Sequence, residues 1–262
     1  VFLAQMSRQA VQFRPGEFSD NKKPLLAGVH VNVNVTDWWA LGASRVFQFG
    51  GGERQVSAKT LARAFFDPRG ADNDASIEQE SGNQIAAISS KINFDGELPF
   101  SFTLELAGED TSNNKAYQLG NTAITAGLYF PYLLDQNLSV NYEYSTWQSA
   151  WYSNNVYEDG YVNEGFVLGH WAMQPQRELK TATPGQSHFV QMHWQLNNDD
   201  FISSTLRTSS LESTPLINYS DAWELKFDYS TMLFTQKVSA GIYVGKDSFD
   251  DEFAQFSVTW EL

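Results

Sequence analysis

The sequence predicts an all-β protein, an antiparallel transmembrane β-barrel of the bacterial outer-membrane type, and three observations lead to this prediction. Aromatic residues make up 15% of the 262 residues, yet the mean hydropathy is only -0.37. Apolar and polar residues alternate over many segments, and short connections alternate with long ones along the chain. A closed sheet that faces lipid on one side and water on the other has all three properties.

The strands are predicted from period-2 alternation, because successive side chains of a strand point to opposite faces. The segments that alternate most regularly are 29–35, 86–94, 100–106, 138–144, 223–229, 238–244 and 254–262. Two less regular candidates cover 122–130 and 188–196, and a partial strand covers 1–6. Together with the intervening segments we predict about twelve strands.

The connections between the predicted strands differ in length in a regular way. Short ones fall near 36–37, 95–97, 131–136, 197–200 and 230–234, and longer polar stretches cover 7–24, 50–83, 107–116, 147–187, 211–221 and 245–252. Outer-membrane barrels have tight periplasmic turns and long external loops, so the short links are predicted to be periplasmic. A helical pattern at 57–66 predicts a minor helix inside one long loop. Aromatic residues near strand ends are expected to form the interfacial girdles: Trp38, Trp39, Tyr129, Tyr132, Tyr144, Trp147 and Trp194.

Composition and motifs exclude several classes of function. The formal net charge of -14 argues against a nucleic-acid partner, because phosphate binding depends on clustered Lys and Arg. Without cysteine there is no disulfide and no thiolate metal site. No common enzyme fingerprint occurs, and the adjacent Glu109 and Asp110 are expected to diverge on a strand. We therefore predict neither an enzyme nor a cofactor.

One acidic stretch has the spacing of a calcium loop. Acidic or hydroxyl side chains recur at every second position from Asp72 to Glu78. An EF-hand loop starting at Asp72 would need Gly and Glu where Ile77 and Asn83 stand. A calcium site remains open here, but a solvated acidic loop is the favoured interpretation and no metal site is predicted.

Aromatic rings and planar polar groups concentrate in the long stretch 147–187. Flat rings can cover the apolar faces of pyranose sugars, and amides and carboxylates can bind their hydroxyls. The candidate sugar-binding residues are Trp147, Trp151, Tyr152, Asn154, Tyr157, Glu158, Tyr161, His170 and Trp171. Rings that pack a loop onto a barrel rim would show the same pattern, so both interpretations stay open.

Several short motifs, in this order and separated by predicted strands, resemble the Wzi family of capsule-assembly outer-membrane proteins. They are ESGNQ at 80–84, GED at 108–110, YEDGY at 157–161 and GH at 169–170. The resemblance implies a barrel of about 18 strands with an N-terminal helical element. This chain would then be a single-domain barrel portion over 1–262 that lacks the upstream strands and that helical element.

The resemblance also implies a function. It implies a lectin-like protein embedded in outer-membrane lipid that binds capsular or extracellular polysaccharide. Such a protein would help to attach or organise the polysaccharide at the cell surface, without catalysis. The alternative from the residues alone is a porin-like channel, since Glu, Lys, Asn and Ser side chains would line the inside of the barrel.

Overall fold

The computed structural model describes residues 1–57, 82–111, 119–134, 136–149, 151, 154–174 and 183–261, with the side chains of 110 and 111 excepted. One antiparallel sheet of twelve strands dominates the described residues. Its strands are β1 (Phe2–Gln5), β4 (Leu25–Asn34), β5 (Trp39–Phe49), β6 (Asn83–Phe94), β7 (Phe100–Thr111), β8 (Leu119–Phe130), β9 (Leu138–Trp147), β12 (Gly185–Gln195), β13 (Phe201–Leu211), β14 (Ala222–Leu233), β15 (Gln236–Lys246) and β16 (Glu252–Glu261). The predicted all-β antiparallel architecture and the strand count are confirmed.

The strands follow one another across the sheet in chain order, apart from small insertions between β1 and β4 and between β9 and β12. Within the described residues β1 and β16 are the two edges, and they do not pair with each other. Every pair in the sheet is antiparallel and joins consecutive members of this order, so each connection is local. A meander of this kind is the connectivity of outer-membrane barrels.

Two neighbouring rows of side chains show how the register separates the faces. One row crosses five strands through Tyr142, Val190, Leu206, Leu225 and Val244, and belongs to the apolar face. The next row, on the other face, crosses the same strands through Asn141, Gln191, Thr205, Lys226 and Tyr243. A one-residue slip would exchange the two faces completely, so the pattern of apolar and polar side chains specifies this register. We call these the apolar face and the polar face.

The apolar face remains open to its surroundings. Ile88, Phe256 and Val258 are 59%, 72% and 60% exposed although they lie within paired strands. An exposed apolar surface of this extent marks an interaction surface, and lipid fits a belt that runs along a whole sheet. Among the described residues, no helix has the length and apolar character needed to cross a membrane.

Short and long connections alternate as predicted, with two differences. β7 extends to Thr111 and β8 already begins at Leu119, so the loop between them is shorter than the predicted 107–116 stretch suggested. The predicted link at 230–234 is instead a two-residue turn, because β14 continues to Leu233 and pairs there with Gln236. The helix predicted at 57–66 and the acidic stretch 67–80 lie outside the described residues, apart from Ser57.

Small elements gather at the long-loop end of the sheet. They are the hairpin β2 (Val11–Arg14) with β3 (Glu17–Ser19), the hairpin β10 (Val162–Asn163) with β11 (Phe166–Val167), and a 3-10 turn at Trp171–Met173. One buried cluster lies here on the polar face, where Ala107, Trp147 and Leu211 pack against residues of the 151–173 segment. Loops thus cover part of the polar face and form a core there.

Two residues assigned to the interfacial girdles lie on the other face. Tyr129 is in register with Ser101 and Asn141, and Trp147 with Ala123 and Gly185, so both belong to the polar face. The expectation that they contact lipid was wrong, because proximity to a strand end does not determine which face a side chain takes.

Candidate functional site

Three segments that are distant in sequence interlock at the long-loop end, and we call residues 7–24, 50–57 and 154–174 the loop cap. Gln12 N donates to Val156 O at 2.7 Å, and Glu158 N donates to Ala10 O at 3.3 Å. Ser7 N donates to Asn163 Oδ1 at 2.7 Å, across 156 positions of the chain. These bonds pair backbone groups of different loops with one another, which gives the cap a defined structure.

Four of the predicted aromatic residues are buried within the cap or beneath it. Trp147, Trp151, Tyr157 and Tyr161 are 4%, 6%, 0% and 3% exposed. The Trp147 indole donates from Nε1 to Thr183 O at 3.2 Å, and the Tyr157 hydroxyl donates to Gly50 O at 3.1 Å. In this arrangement their rings hold the cap together, and their faces are covered by protein.

The polar candidates of the same segment are more accessible. Asn154 is half-buried, and its Oδ1 accepts from the backbone N of Val156 at 2.7 Å and of Tyr157 at 3.3 Å. This is an Asx turn that shapes the backbone before the buried tyrosine. Glu158 is exposed, as is its neighbour Asn155. Tyr152 lies outside the described residues.

His170 begins the 3-10 turn and lies against the polar face. Its Nδ1 accepts from Ala172 N at 3.2 Å, so the proton of the neutral ring is on Nε2. Nε2 lies 3.4 Å from Ser187 Oγ and 4.0 Å from Glu143 Oε1. Burial, assisted by the nearby Arg207 guanidinium, lowers the pKa of His170 to about 4. The imidazole is therefore neutral at physiological pH and serves as a hydrogen-bonding group.

Trp171 and Arg207 join the cap to the wall of the sheet. The Arg207 guanidinium carbon lies 5.4 Å from the Trp171 ring centroid and 5.8 Å from that of Phe189. On its other side Arg207 is 3.6 Å from Glu224 Oε2, which also accepts from the Tyr243 hydroxyl at 2.8 Å. Planar groups and charged groups thus alternate here, and Trp171 and Arg207 keep part of their surface accessible.

A cavity of about 360 Å³ lies on the polar face of β4 to β9, and Glu143 lines it. Its wall also carries His30, Lys91 and Glu105. His30 Nδ1 is 2.8 Å from Ser44 Oγ, which is the hydrogen bond expected of a polar-face histidine. Glu143 therefore connects the His170 contact to a hydrophilic cavity, and the donors and acceptors around it suit a hydroxyl-rich ligand.

The structure brings Trp147, His170 and Trp171 together, with His170 5.6 Å from Trp147 and 5.4 Å from Trp171 between ring centroids. Sequence reasoning missed the wall residues Glu143, Phe189 and Arg207. Alternation does place all three on the polar face, but their proximity to His170 depends on how the cap folds back, which periodicity cannot indicate. Among the described residues there is no group of three or more metal-ligating side chains.

Comparison with known proteins gives a consistent result. The sequence matches the family described as capsule assembly protein Wzi over residues 1–252. No curated protein matches the chain. The fold is similar to that of Wzi from Escherichia coli, described as an outer-membrane protein involved in group 1 capsule assembly and a carbohydrate-binding β-barrel, with a TM-score of 0.66 and 18% identity. That alignment covers 99% of this chain and 54% of the E. coli chain, so this chain spans about half the length of its relative.

Two channels match with lower scores. The CymD monoaromatic hydrocarbon channel has a TM-score of 0.38 and 10% identity, with 98% of this chain and 78% of that chain covered. An anion-selective porin from Comamonas acidovorans has a TM-score of 0.35 and 9% identity, with 94% and 89% covered. The family match extends over nearly the whole sequence, and the chain therefore belongs to the Wzi capsule assembly family and is a protein of the bacterial outer membrane.

Proposed function

We propose that this protein is a lectin-like component of the outer membrane that binds capsular or extracellular polysaccharide at its long-loop end and helps to attach it to the cell surface. One observation carries the proposal. The cap sets His170 and Trp171 against a wall of Glu143, Phe189 and Arg207, beside a hydrophilic cavity. Aromatic faces next to planar hydrogen-bonding groups are what sugar rings require.

The nine predicted residues divide into two roles in this proposal. The accessible or half-buried ones, Asn154, Glu158, His170 and Trp171, would contact sugar, as would Tyr152 by its place in the same loop. Trp147, Trp151, Tyr157 and Tyr161 would support the loop from beneath, because their rings are buried. Ser187 Oγ lies 3.4 Å from His170 Nε2, but that nitrogen carries the proton of the neutral ring and cannot accept one from the hydroxyl, so we propose binding without turnover.

The twelve strands would form part of a larger barrel of about 18 strands with an upstream helical element, as the family resemblance implies. The alignment to 54% of the E. coli chain supports this proposal. In that barrel the apolar face would contact outer-membrane lipid. A structure of the complete gene product in lipid would test it, and a closed barrel of twelve strands would contradict it.

Polysaccharide binding can be tested directly. Detergent-solubilised protein would be passed over the purified surface polysaccharide of the source cell in surface plasmon resonance. We expect weak binding per sugar and strong binding to long chains through avidity. Trp171→Ala should weaken binding at least tenfold, whereas Tyr132→Ala, which removes an exposed ring near the short-link end, should not.

Because Trp171 also packs against Arg207, Trp171→Ala needs a second variant beside it. Glu158→Ala alters an exposed side chain, so the cap should stay intact while binding weakens. Normal binding by both variants would exclude these residues as contacts. Failure of the unmodified protein to bind any native polymer would contradict the proposed function itself.

A porin-like channel is the second candidate, favoured by the hydrophilic polar face with its row of Asn141, Gln191, Thr205 and Lys226. Conductance in planar bilayers separates the two functions. Steady ion conductance that added polysaccharide does not reduce, together with no polymer binding, would favour the channel. Binding with little conductance is expected from the lectin, because the cap covers part of the polar face.

A further inference from the structure

A second cavity at the long-loop end has a different chemical character from the His170 site. Its volume is about 580 Å³, within the roughly 300–1,000 Å³ of small-molecule sites. Its charged lining consists of Lys22 and Lys23, which precede β4, and Arg54, which follows β5. The amides of Gln5 and Gln55 complete its polar lining.

Hydrogen bonds hold the frame of this cavity in place. Gly52 N donates to Lys22 O at 2.8 Å, and Arg54 N donates to Gly51 O at 3.0 Å. The Arg54 guanidinium donates from Nη1 to Gln12 O at 3.0 Å, which fixes its direction. Gly51 has a positive φ of +83°, and a Cβ atom there would lie 2.9 Å from Pro24 Cγ. The cationic groups are therefore presented by a defined backbone.

The charge of the cavity contrasts with that of the chain. The protein has 31 acidic and 17 basic residues, yet the described residues that line the cavity include three cations and no carboxylate. Within the described part of the chain Lys22 and Lys23 have no ion-pair partner, whereas Lys226, Lys237 and Lys246 each pair with a carboxylate. The ammonium groups of these two lysines are therefore available to a ligand.

The nearest acidic groups along the chain do not neutralise the cavity. Asp20 and Glu53 flank its segments but do not line it. Glu53 instead accepts from the Asn21 amide at 2.5 Å, which directs one carboxylate oxygen to that side chain. Most of the lining therefore comes from the loop cap itself, in which Arg54 binds Gln12 O and Gln12 N binds Val156 O.

We propose that this cavity is a subsite for a carboxylate-bearing sugar unit of an acidic polysaccharide. The carboxylate would pair with the Lys22 and Lys23 ammonium groups and the Arg54 guanidinium, while the Gln5 and Gln55 amides bind ring hydroxyls. The proposal rests on the proposed polysaccharide binding and specifies its ligand as anionic. Binding at this subsite would fall steeply with ionic strength, because exposed charge pairs are screened by salt.

The test compares oligogalacturonate with its fully methyl-esterified form, which has the same rings without the charge. Calorimetry at 50 and 300 mM NaCl would use the intact chain in detergent. We expect oligogalacturonate to bind at least tenfold more tightly than the ester at low salt, and the double variant Lys22→Gln/Lys23→Gln to remove that difference. Lys237→Gln is the matched control, because its lysine pairs with Glu261 far from the cavity.

The outcomes separate this subsite from the proposed function. Equal binding of the acid and the ester, unchanged in the double variant, would overturn the subsite and leave polysaccharide binding intact. If the unmodified protein binds neither the native polymer nor either oligosaccharide, the proposed function is overturned. A third outcome is that the unmodified protein binds vesicles that contain lipopolysaccharide but does not bind oligogalacturonate. That result would also overturn the proposal and assign the cations to lipid phosphate.

Discussion

Arg207 on β13 lies over the ring of Trp171 in the 3-10 turn, with its guanidinium carbon 5.4 Å from the ring centroid. This contact joins a strand of the sheet to the loop that covers it. The same guanidinium carbon lies 5.8 Å from the Phe189 ring centroid. Glu224 Oε2 lies 3.6 Å from Arg207 Nη1 and balances the charge of the guanidinium. A planar cation in contact with two rings is thus one of the contacts that position the cap on the polar face.

Replacement of Arg207 should loosen the cap. A cation–π contact contributes about 0.5–2 kcal/mol, so Arg207→Ala should raise local opening by roughly 2- to 30-fold. Arg207→Lys keeps the charge but loses the planar group, so it should have an intermediate effect. Hydrogen exchange of the Met173 amide, which donates to His170 O at 3.1 Å, would measure the opening.

The control for this experiment is Lys226→Gln. Lys226 lies on the same face of the neighbouring strand and pairs with Asp228 at 3.0 Å, without a contact to Trp171. Loss of the Lys226 charge should leave hydrogen exchange of the Met173 amide unchanged. If all three variants exchange as the unmodified protein does, the Arg207–Trp171 contact does not hold the cap.

The stability of the cap should fall in acid because of His170. Its folded pKa of about 4 lies below the ordinary 6.5, so between these values the open state binds a proton that the closed state does not. Stability is therefore complete above about pH 6.5 and decreases down to about pH 4, by about 3 kcal/mol in total. Glu143, 4.0 Å away, favours the charged ring and makes this figure an upper bound.

His170→Asn is the matched variant for this pH dependence. An Asn carbonyl can still accept from Ala172 N, as His170 Nδ1 does at 3.2 Å, but it does not titrate. Exchange of the 171–174 amides between pH 7 and 4 should therefore become flatter in the variant once intrinsic exchange is corrected for. A pH profile that matches that of the unmodified protein would assign the effect to another group.

Asp200 should stabilise the turn between β12 and β13 at neutral pH. Hydrogen bonds from Thr231, Tyr229 and Asn197 lower the pKa of its carboxyl, and the Tyr229 hydroxyl donates to it at 2.7 Å. The contribution of a carboxylate with a lowered pKa is present above its unfolded pKa and is lost as pH falls through the folded value. Asp200→Asn should reduce the urea midpoint at pH 7 and change it much less at pH 2.

A double-mutant cycle with Tyr229→Phe isolates this hydrogen bond. The two substitutions should be less than additive at pH 7, because they remove the same interaction. Strict additivity would show that the bond contributes nothing to the turn.

The turn between β14 and β15 should be improved by substitution. Phe234 and Thr235 both have positive φ, at 57° and 109°, which L side chains adopt at a cost. Asn-Gly suits a two-residue hairpin turn of this kind. Phe234→Asn/Thr235→Gly should raise the free energy of unfolding by about 1 kcal/mol, measured by urea titration in lipid vesicles.

Phe234 is 95% exposed, so its ring could contribute by contact with the membrane interface. Thr235→Gly alone keeps the ring and relieves the φ of 109°, and it should give part of the stabilisation. A lower midpoint in both variants would contradict the strain argument.

Local pattern was enough to predict the strands and their faces. Side chains of a strand alternate with period two, so the apolar positions Tyr142 and Leu225 and the polar positions Asn141 and Lys226 could be assigned before any pairing was known. The short link predicted at 230–234 could not be narrowed to the two-residue turn at Phe234 and Thr235, because neither residue is one that such turns favour.

The site depends on the tertiary structure instead. Sequence alone determined that this chain forms amphipathic antiparallel strands and that one loop is rich in rings and planar polar groups. Only the fold decided that Trp151 and Tyr157 are buried while His170 and Trp171 meet Arg207 and Glu143. The physical reason is that alternation is a property of neighbouring residues, whereas the cap is held by bonds such as that from Ser7 to Asn163, 156 positions apart.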